Sequence, residues 1–145
     1  MTVEKAKKEL RKLRDIEKTI HTMEEEIARM NKQKTDISSK IEGSTGGCRK
    51  SGSKQEKIAD VIMDTITENL DFINQTMEFQ KRANRVINKM PKDRERDILR
   101  LYYLEKRTFE VAAEQMVISV RHAQRVHGSA LQSFARMYSE LYEEV

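Results

Sequence analysis

TFEVAAEQMVISVRHAQRVHGSALQSFARMYS, residues Thr108–Ser139, holds two helix starts separated by one short turn. Thr108 can cap a helix in which Glu110 and Glu114 follow and Val111, Ala112 and Met116 face inward. A turn at Val117 and Ile118 leads to Ser119, a good cap for a final helix extending to about Glu143. On that helix Val120, Ala123, either Val126 or His127, Ala130, Leu131 and Phe134 fall on one side. Arg121, His122, Gln124, Arg125, Gly128 and Ser129 fall on the other, near the helix start. No Asp or Glu occurs between Ser119 and Ser139, although acids flank the segment on both sides. Helix, short turn and capped helix is the outline of a helix-turn-helix, whose second helix can enter a DNA major groove. Ser119 and those six outward residues are the candidate DNA contacts, since arginine can grip guanine, glutamine adenine, and serine or a backbone amide a phosphate.

Working backwards, Pro91 disfavours helix in the residue before it and suits the first turn of a new one. A helix is expected over Pro91–Glu105, burying Ile98, Leu101, Tyr102 and Leu104. Upstream of Pro91 the period of threes and fours continues as two adjacent rows. The first is Ala59, Met63, Ile66, Leu70, Ile73, Met77, Gln80, Asn84 and Ile87. The second, offset by one residue, is Ile58, Ile62, Thr65, Asn69, Phe72, Thr76, Phe79, Ala83, Val86 and Met90. Two rows make a face too wide for one partner helix, so the C-terminal helices or a second copy must cover part of it.

The segment 43–53, GSTGGCRKSGS, contains four glycines and four small hydroxyl residues and reads as a flexible connector. Before it a heptad runs through Ala6, Leu13, Ile20, Ile27, Lys34 and Ile41, with Glu9, Ile16, Met23, Met30 and Ile37 as its companion positions. Nine of these eleven are apolar. One helix is expected from Val3 to Ile41, paired with the second helix as an antiparallel hairpin of coiled-coil type. The expected fold is therefore all-α: a hairpin over residues 1–90 and a compact three-helix domain over 91–145.

Composition narrows the function classes. The 145 residues are 37% hydrophobic and 36% charged, with one Pro and five Gly, which favours long helices over a large β-structure. The lone Cys48 excludes an internal disulfide framework and, even with His21, His122 and His127, gives no metal-ligand spacing. No metal or other cofactor is expected. No apolar run reaches the length of a membrane span, and a cytoplasmic protein of a bacterial host is expected. The net charge of +4 is compatible with nucleic acid. Lys81, Arg82, Arg85 and Lys89 form an acid-free basic patch at the end of the second helix, and Arg107 and Thr108 precede the helix-turn-helix. These six are candidate phosphate contacts. No Gly-rich phosphate loop, nucleophile with base or paired carboxylates appears, so an enzyme is not expected.

The segment 90–131, MPKDRERDILRLYYLEKRTFEVAAEQMVISVRHAQRVHGSAL, resembles the fourth region of bacterial sigma factors. It looks closer to phage and prophage transcriptional regulators of the ArpU and RinA type. A related prophage family of unassigned function is more similar still. It shares a VHRxHGxAL-like ending, here AQRVHGSAL, and an SGSxxxKxAD-like segment, here SGSKQEKIAD over Ser51–Asp60. The resemblance implies sequence-specific binding of double-stranded DNA with the final helix in the major groove, and in sigma-like proteins contact with RNA polymerase. The turn position often held by glycine is Val117 here, and a β-branched residue resists positive φ, which points to a different turn. The hairpin stands where a sigma factor has promoter-melting regions, so the chain is not a complete sigma factor. A regulator acting as a homodimer through its hairpin is preferred. Two other readings remain: an interaction protein that binds RNA polymerase or a phage partner through the hairpin, and a small-terminase-like packaging protein. In the latter, DNA-binding elements usually precede the coiled coil, the reverse of the order here.

Overall fold

The structure, a computed structural model, describes residues 1–42 and 48–143, with side chains described outside 34–55. It is all-α, and no strand occurs among the described residues. The helices are α1 (Val3–Arg14), α2 (Ile16–Glu42), α3 (Cys48–Lys89), α4 (Asp93–Leu99), α5 (Phe109–Met116) and α6 (Val120–Tyr138). α4 continues into a π-helical turn, Arg100–Leu104, and α6 into another, Ser139–Glu143. Two compact units emerge: residues 1–16 with 75–145, and residues 17–74. These units are cut differently from the expected partition at Pro91, because α1 and the last turns of α3 bury their apolar residues in the same core as α4–α6.

The expected single N-terminal helix is interrupted at Asp15, whose backbone leaves helical geometry at φ −95°, ψ 4°. The adjoining Arg14 side chain is held from outside the helix. Its guanidinium donates to the carbonyls of Tyr102 and Arg107, the latter at 2.8 Å, and lies 4.1 Å from the Tyr102 ring centroid. Leu10 is buried where the heptad had placed Glu9, so the inward row of α1 is Ala6, Leu10 and Leu13. The expected connector 43–53 is shorter than foreseen, since α3 already begins at Cys48. Helix propagation from a formed turn costs little, and the single Gly52 opposes it by only about 1 kcal/mol. Residues 43–47 lie outside the described ones.

In the unit 1–16 with 75–145, Phe79, Ala83, Val86, Ile87 and Met90 of α3 join Ala6, Leu10 and Leu13 of α1, Ile98 and Leu99 of α4, and most of the inner face of α6. The second apolar row of α3 is thus the one buried here. α4 starts two residues later than expected, because Lys92 takes an extended conformation at φ −92°, ψ 120°. Arg96 holds the incoming turn by donating to the Met90 carbonyl at 2.6 Å. Of the residues expected inward on this helix, Ile98 is buried, whereas Leu101, Tyr102 and Leu104 are half-buried. Leu99 and Tyr103 take the interior positions instead. Tyr102 is drawn outward by two partners, stacking on Phe109 at 4.2 Å between centroids and carrying the Arg14 guanidinium.

The turn between α5 and α6 corrects the expectation for Val117. Its backbone does adopt the left-handed conformation, φ 58° and ψ 47°, and closes α5 as glycine would. Its N–H donates to the Glu114 carbonyl at 3.1 Å, and the Ile118 N–H reaches back to Ala113 at 3.0 Å. This is the paired hydrogen bonding of a Schellman stop. Thr108 and Ser119 cap the helices on either side as foreseen, accepting from the N–H groups of Val111 and His122 at 3.2 and 3.0 Å. Burial of the α5–α6 face and these two caps outweigh the roughly 1–2 kcal/mol that a left-handed β-branched residue costs.

A polar pair, Tyr103 and His127, lies in the core. Tyr103 Oη and His127 Nε2 share a hydrogen bond of 2.6 Å. Burial, then the charges of Lys7 and Arg11, push the His127 pKa down to about 4. Burial likewise raises that of Tyr103 and keeps the phenol protonated.

Two stability predictions follow from these positions. Val117 is 89% exposed and packs on nothing, so Val117→Gly should raise unfolding free energy by about 1 kcal/mol in denaturant titrations. Between pH 6.5 and about 4 the unfolded chain binds a proton at residue 127 that the fold refuses, so stability falls as pH drops through that window. The loss attributable to this group is about 3 kcal/mol. The stability difference between wild type and His127→Leu should therefore vary with pH inside that window and level off above it.

Candidate DNA-reading face

α6 is amphipathic, and its two sides have separate tasks. Ala123, His127, Ala130, Leu131, Phe134, Ala135 and Tyr138 are buried, which resolves the alternative between Val126 and His127 in favour of His127. Phe134 and Tyr138 pack on Phe79 of α3 at 6.3 and 5.6 Å between ring centroids. The opposite side carries Arg121, Gln124, Arg125 and Gly128, all exposed within the first three turns. None of the three polar side chains lies in the core. The absence of acid on α6 leaves this face positive next to the partial positive charge of the helix start.

Gly128 has open space where a Cβ would stand, with nothing within 4 Å. No neighbouring helix therefore requires glycine there. Ser129 is exposed on the outward side, and its hydroxyl donates at 2.7 Å to the Glu95 carboxylate, which is 4% exposed at the start of α4. That bond ties the middle of α6 to the start of α4. His122 is half-buried, with the Arg94 guanidinium 3.5 Å from its Nε2.

Arg94 and Lys92 are the residues that sequence reasoning missed. They precede the helix-turn-helix in the chain, yet the packing of α4 across α6 brings them beside its exposed face. There, with Asp93, Glu95, Val126 and Ser129, they line a shallow cavity of about 440 Å³. The DRER run at the start of α4 alternates charge and reads as an ordinary solvated turn. Only the crossing of α4 over α6 distinguishes its two arginines: Arg94 approaches His122, and Arg96 turns back to Met90.

The candidate phosphate contacts divide. Lys81, Arg85 and Lys89 are exposed along one side of α3, with Lys81 3.4 Å from Glu78. Arg82 is also exposed but lies 5.6 Å from the Tyr142 ring centroid, and the Tyr138 hydroxyl strengthens its hold on its proton. Arg107 lends its carbonyl to Arg14 while its side chain stays exposed. Thr108 is exposed, and its Oγ1 accepts the Val111 N–H in the α5 cap. Among the described residues, no group of His, Cys, Asp or Glu is arranged to hold a metal ion. No helix among them is long and apolar enough to cross a membrane.

Comparison with known proteins agrees with the architecture from α4 to α6. No curated protein matches the chain, and no solved structure does. Residues 92–134, from the approach to α4 through Phe134 of α6, match the family described as Sigma-70, region 4, so this part of the chain is a sigma region 4-like, DNA-binding helix-turn-helix.

Proposed function

We propose that the protein is a sequence-specific, double-stranded DNA-binding transcriptional regulator of phage or prophage origin that places α6 in the major groove. The observation that carries this reading is the exposed row Arg121, Gln124, Arg125 and Gly128 on an acid-free helix, anchored by its other face within the region 4-like segment. Arginine and glutamine at the start of such a helix are the side chains whose forked donors match base edges. Lys92 and Arg94 would add phosphate contacts beside the groove and set the angle of entry. The phage assignment rests on the similarity of Ser51–Asp60 and of the AQRVHGSAL segment to a prophage family of unassigned function. Pairing of two copies through the hairpin would present two such helices to inverted half-sites. No catalytic group is assigned.

One observation favours a second partner. Residues 91–145 carry nine basic and nine acidic side chains, a weak electrostatic attraction for DNA taken alone. RNA polymerase is a natural second partner for a region 4-like domain of this balance, and simultaneous contact would supply the missing affinity. Failure of the protein to bind any duplex without polymerase, together with binding in its presence, would support that arrangement.

Selection from a random duplex library at near-physiological salt should enrich one motif. Arg121→Ala and Arg125→Ala should each weaken binding to it by about 1–3 kcal/mol while leaving the melting temperature unchanged. Gly128→Ala separates packing from reading: it should stabilise the free protein by about 1 kcal/mol, since glycine in a helix interior is costly. If the backbone there approaches DNA closely, the same variant should bind the duplex less well. Normal affinity in both arginine variants would remove α6 from the role assigned to it.

A further inference from the structure

Positive charge in the unit of residues 1–16 with 75–145 is not confined to the region 4-like segment, because α1 brings its own. The place of α1 beside α6 is fixed at both ends. The Met1 amino group meets the Ser139 hydroxyl just past the end of α6. Arg14, at the other end, donates to the carbonyls of Tyr102 and Arg107 in the segment that leads into α5. Between these ends Leu10 and Leu13 share one core with Leu131 and Phe134 of α6. α1 therefore runs back along α6 towards His127, where Tyr102 and Phe109 also arrive, at 5.5 and 5.2 Å between ring centroids.

The flank of α6 that α1 holds is the one α4 leaves. At about 100° per residue from His127, Val126 falls on one side of the inner face and Gly128, Ala135 and Ser139 on the other. Lys92 and Arg94 of the α4 approach stand beside Val126 and Ser129. Ala135 is buried and Ser139 is bonded to Met1, which puts α1 on the opposite side. The exposed row Arg121, Gln124, Arg125 and Gly128 lies between the two.

α1 also has two sides of its own. Lys5 and Glu9 share a cavity with Glu78, Phe79 and Arg82 of α3. Lys7, Arg11 and Arg14, spaced four and three, stand together on the side that Arg14 turns to Tyr102 and Arg107. Lys7 and Arg11 are exposed, and their charges act on His127, the neighbour of Gly128. Lys12 is paired with Glu9 at 3.0 Å, whereas among the described residues no ion pair engages Lys7 or Arg11. Glu4 and Asp15, a turn before and a turn after, are not paired with them. Two exposed cations without an acidic partner fit an anion from outside the chain. A docked α6 brings one there, since the major groove is about 12 Å wide and carries a phosphate strand along each edge.

We propose that Lys7 and Arg11 of α1 grip the phosphate backbone along one edge of the groove while Lys92 and Arg94 meet the other edge. The first helix of the chain, outside the region 4-like segment, is then part of the DNA-binding surface. This rests on the reading of α6 as the groove helix and adds the contact to the second strand.

The test titrates the full chain with its selected duplex at several salt concentrations. The double variant Lys7→Gln, Arg11→Gln should keep the melting temperature and the enriched motif. Its slope of log affinity against log salt should be shallower by about 1.8, two contacts at about 0.9 each. Lys5→Gln, Lys12→Gln removes the same charge from the other side of α1 and should leave the slope as in the wild type. In a Cys48→Ser background, an iron chelate attached at Arg11→Cys should cleave most strongly the strand across the major groove from the one cleaved from Lys92→Cys. A wild-type slope in the Lys7, Arg11 variant, or strongest cleavage of the same strand from both positions, would overturn the proposal. Arg121→Ala and Arg125→Ala read α6 separately. Weakened binding in those two with an unchanged Lys7, Arg11 variant defeats this inference alone, whereas normal affinity in those two defeats the reading on which it rests.

Discussion

The inner face of α6 is the constraint on which the rest of the C-terminal unit depends. Seven side chains from Ala123 to Tyr138 are buried there, against α1, the end of α3, α4 and α5. Small residues let neighbouring helices approach, and Phe134 and Tyr138 fill the space above Phe79. The polar group in this surface, His127, is accommodated because it is hydrogen-bonded to the Tyr103 hydroxyl and its imidazole stays neutral. An inner face fixed in this way leaves α6 no rotational freedom. Arg121, Gln124 and Arg125 consequently extend away from the core on a helix whose backbone is fixed by its other face, the arrangement that a reading helix needs.

Around that helix the remaining elements act as supports. Val117 accepts a strained backbone so that α5 and α6 meet within one tight turn. Glu95 takes the Ser129 proton and thereby ties the middle of α6 to the start of α4, bringing Lys92 and Arg94 to the edge of the exposed face. Arg14 reaches from α1 to the carbonyls of Tyr102 and Arg107, closing the segment that enters α5. The last two supports are hydrogen bonds between chain segments distant in sequence. They account for an amphipathic helix becoming a fixed surface.

Helix identity and the local ends were legible in the sequence because their causes are local. Thr108 and Ser119 announce their helices by side-chain chemistry, and the inward row of α6 follows from a period of 3.6. What could not be seen depended on the partner chosen by each face. Two apolar rows on α3 were visible, but only the packed structure shows that the row through Phe79, Ala83, Val86 and Met90 joins the core, leaving Met63 and Leu70 open. The π-helical turn after α4 exchanged Tyr102 for Tyr103 in the interior, a phase change no pattern of hydrophobicity announces. The bond from Ser129 to Glu95 was not legible, because the two residues lie thirty-four positions apart. Val117 misled for the opposite reason, since its local preference was clear and tertiary packing overrode it.

The central claim is that the exposed start of α6 is the surface that meets DNA. Amide and side-chain chemical shifts of the isotope-labelled protein, followed by NMR while its selected duplex is added, test this most directly. The account predicts the largest changes at Arg121, Gln124, Arg125 and Gly128, smaller ones at Lys92 and Arg94, and none at the buried face of α6. Changes confined to the hairpin, with α6 unmoved at saturating duplex, would contradict it.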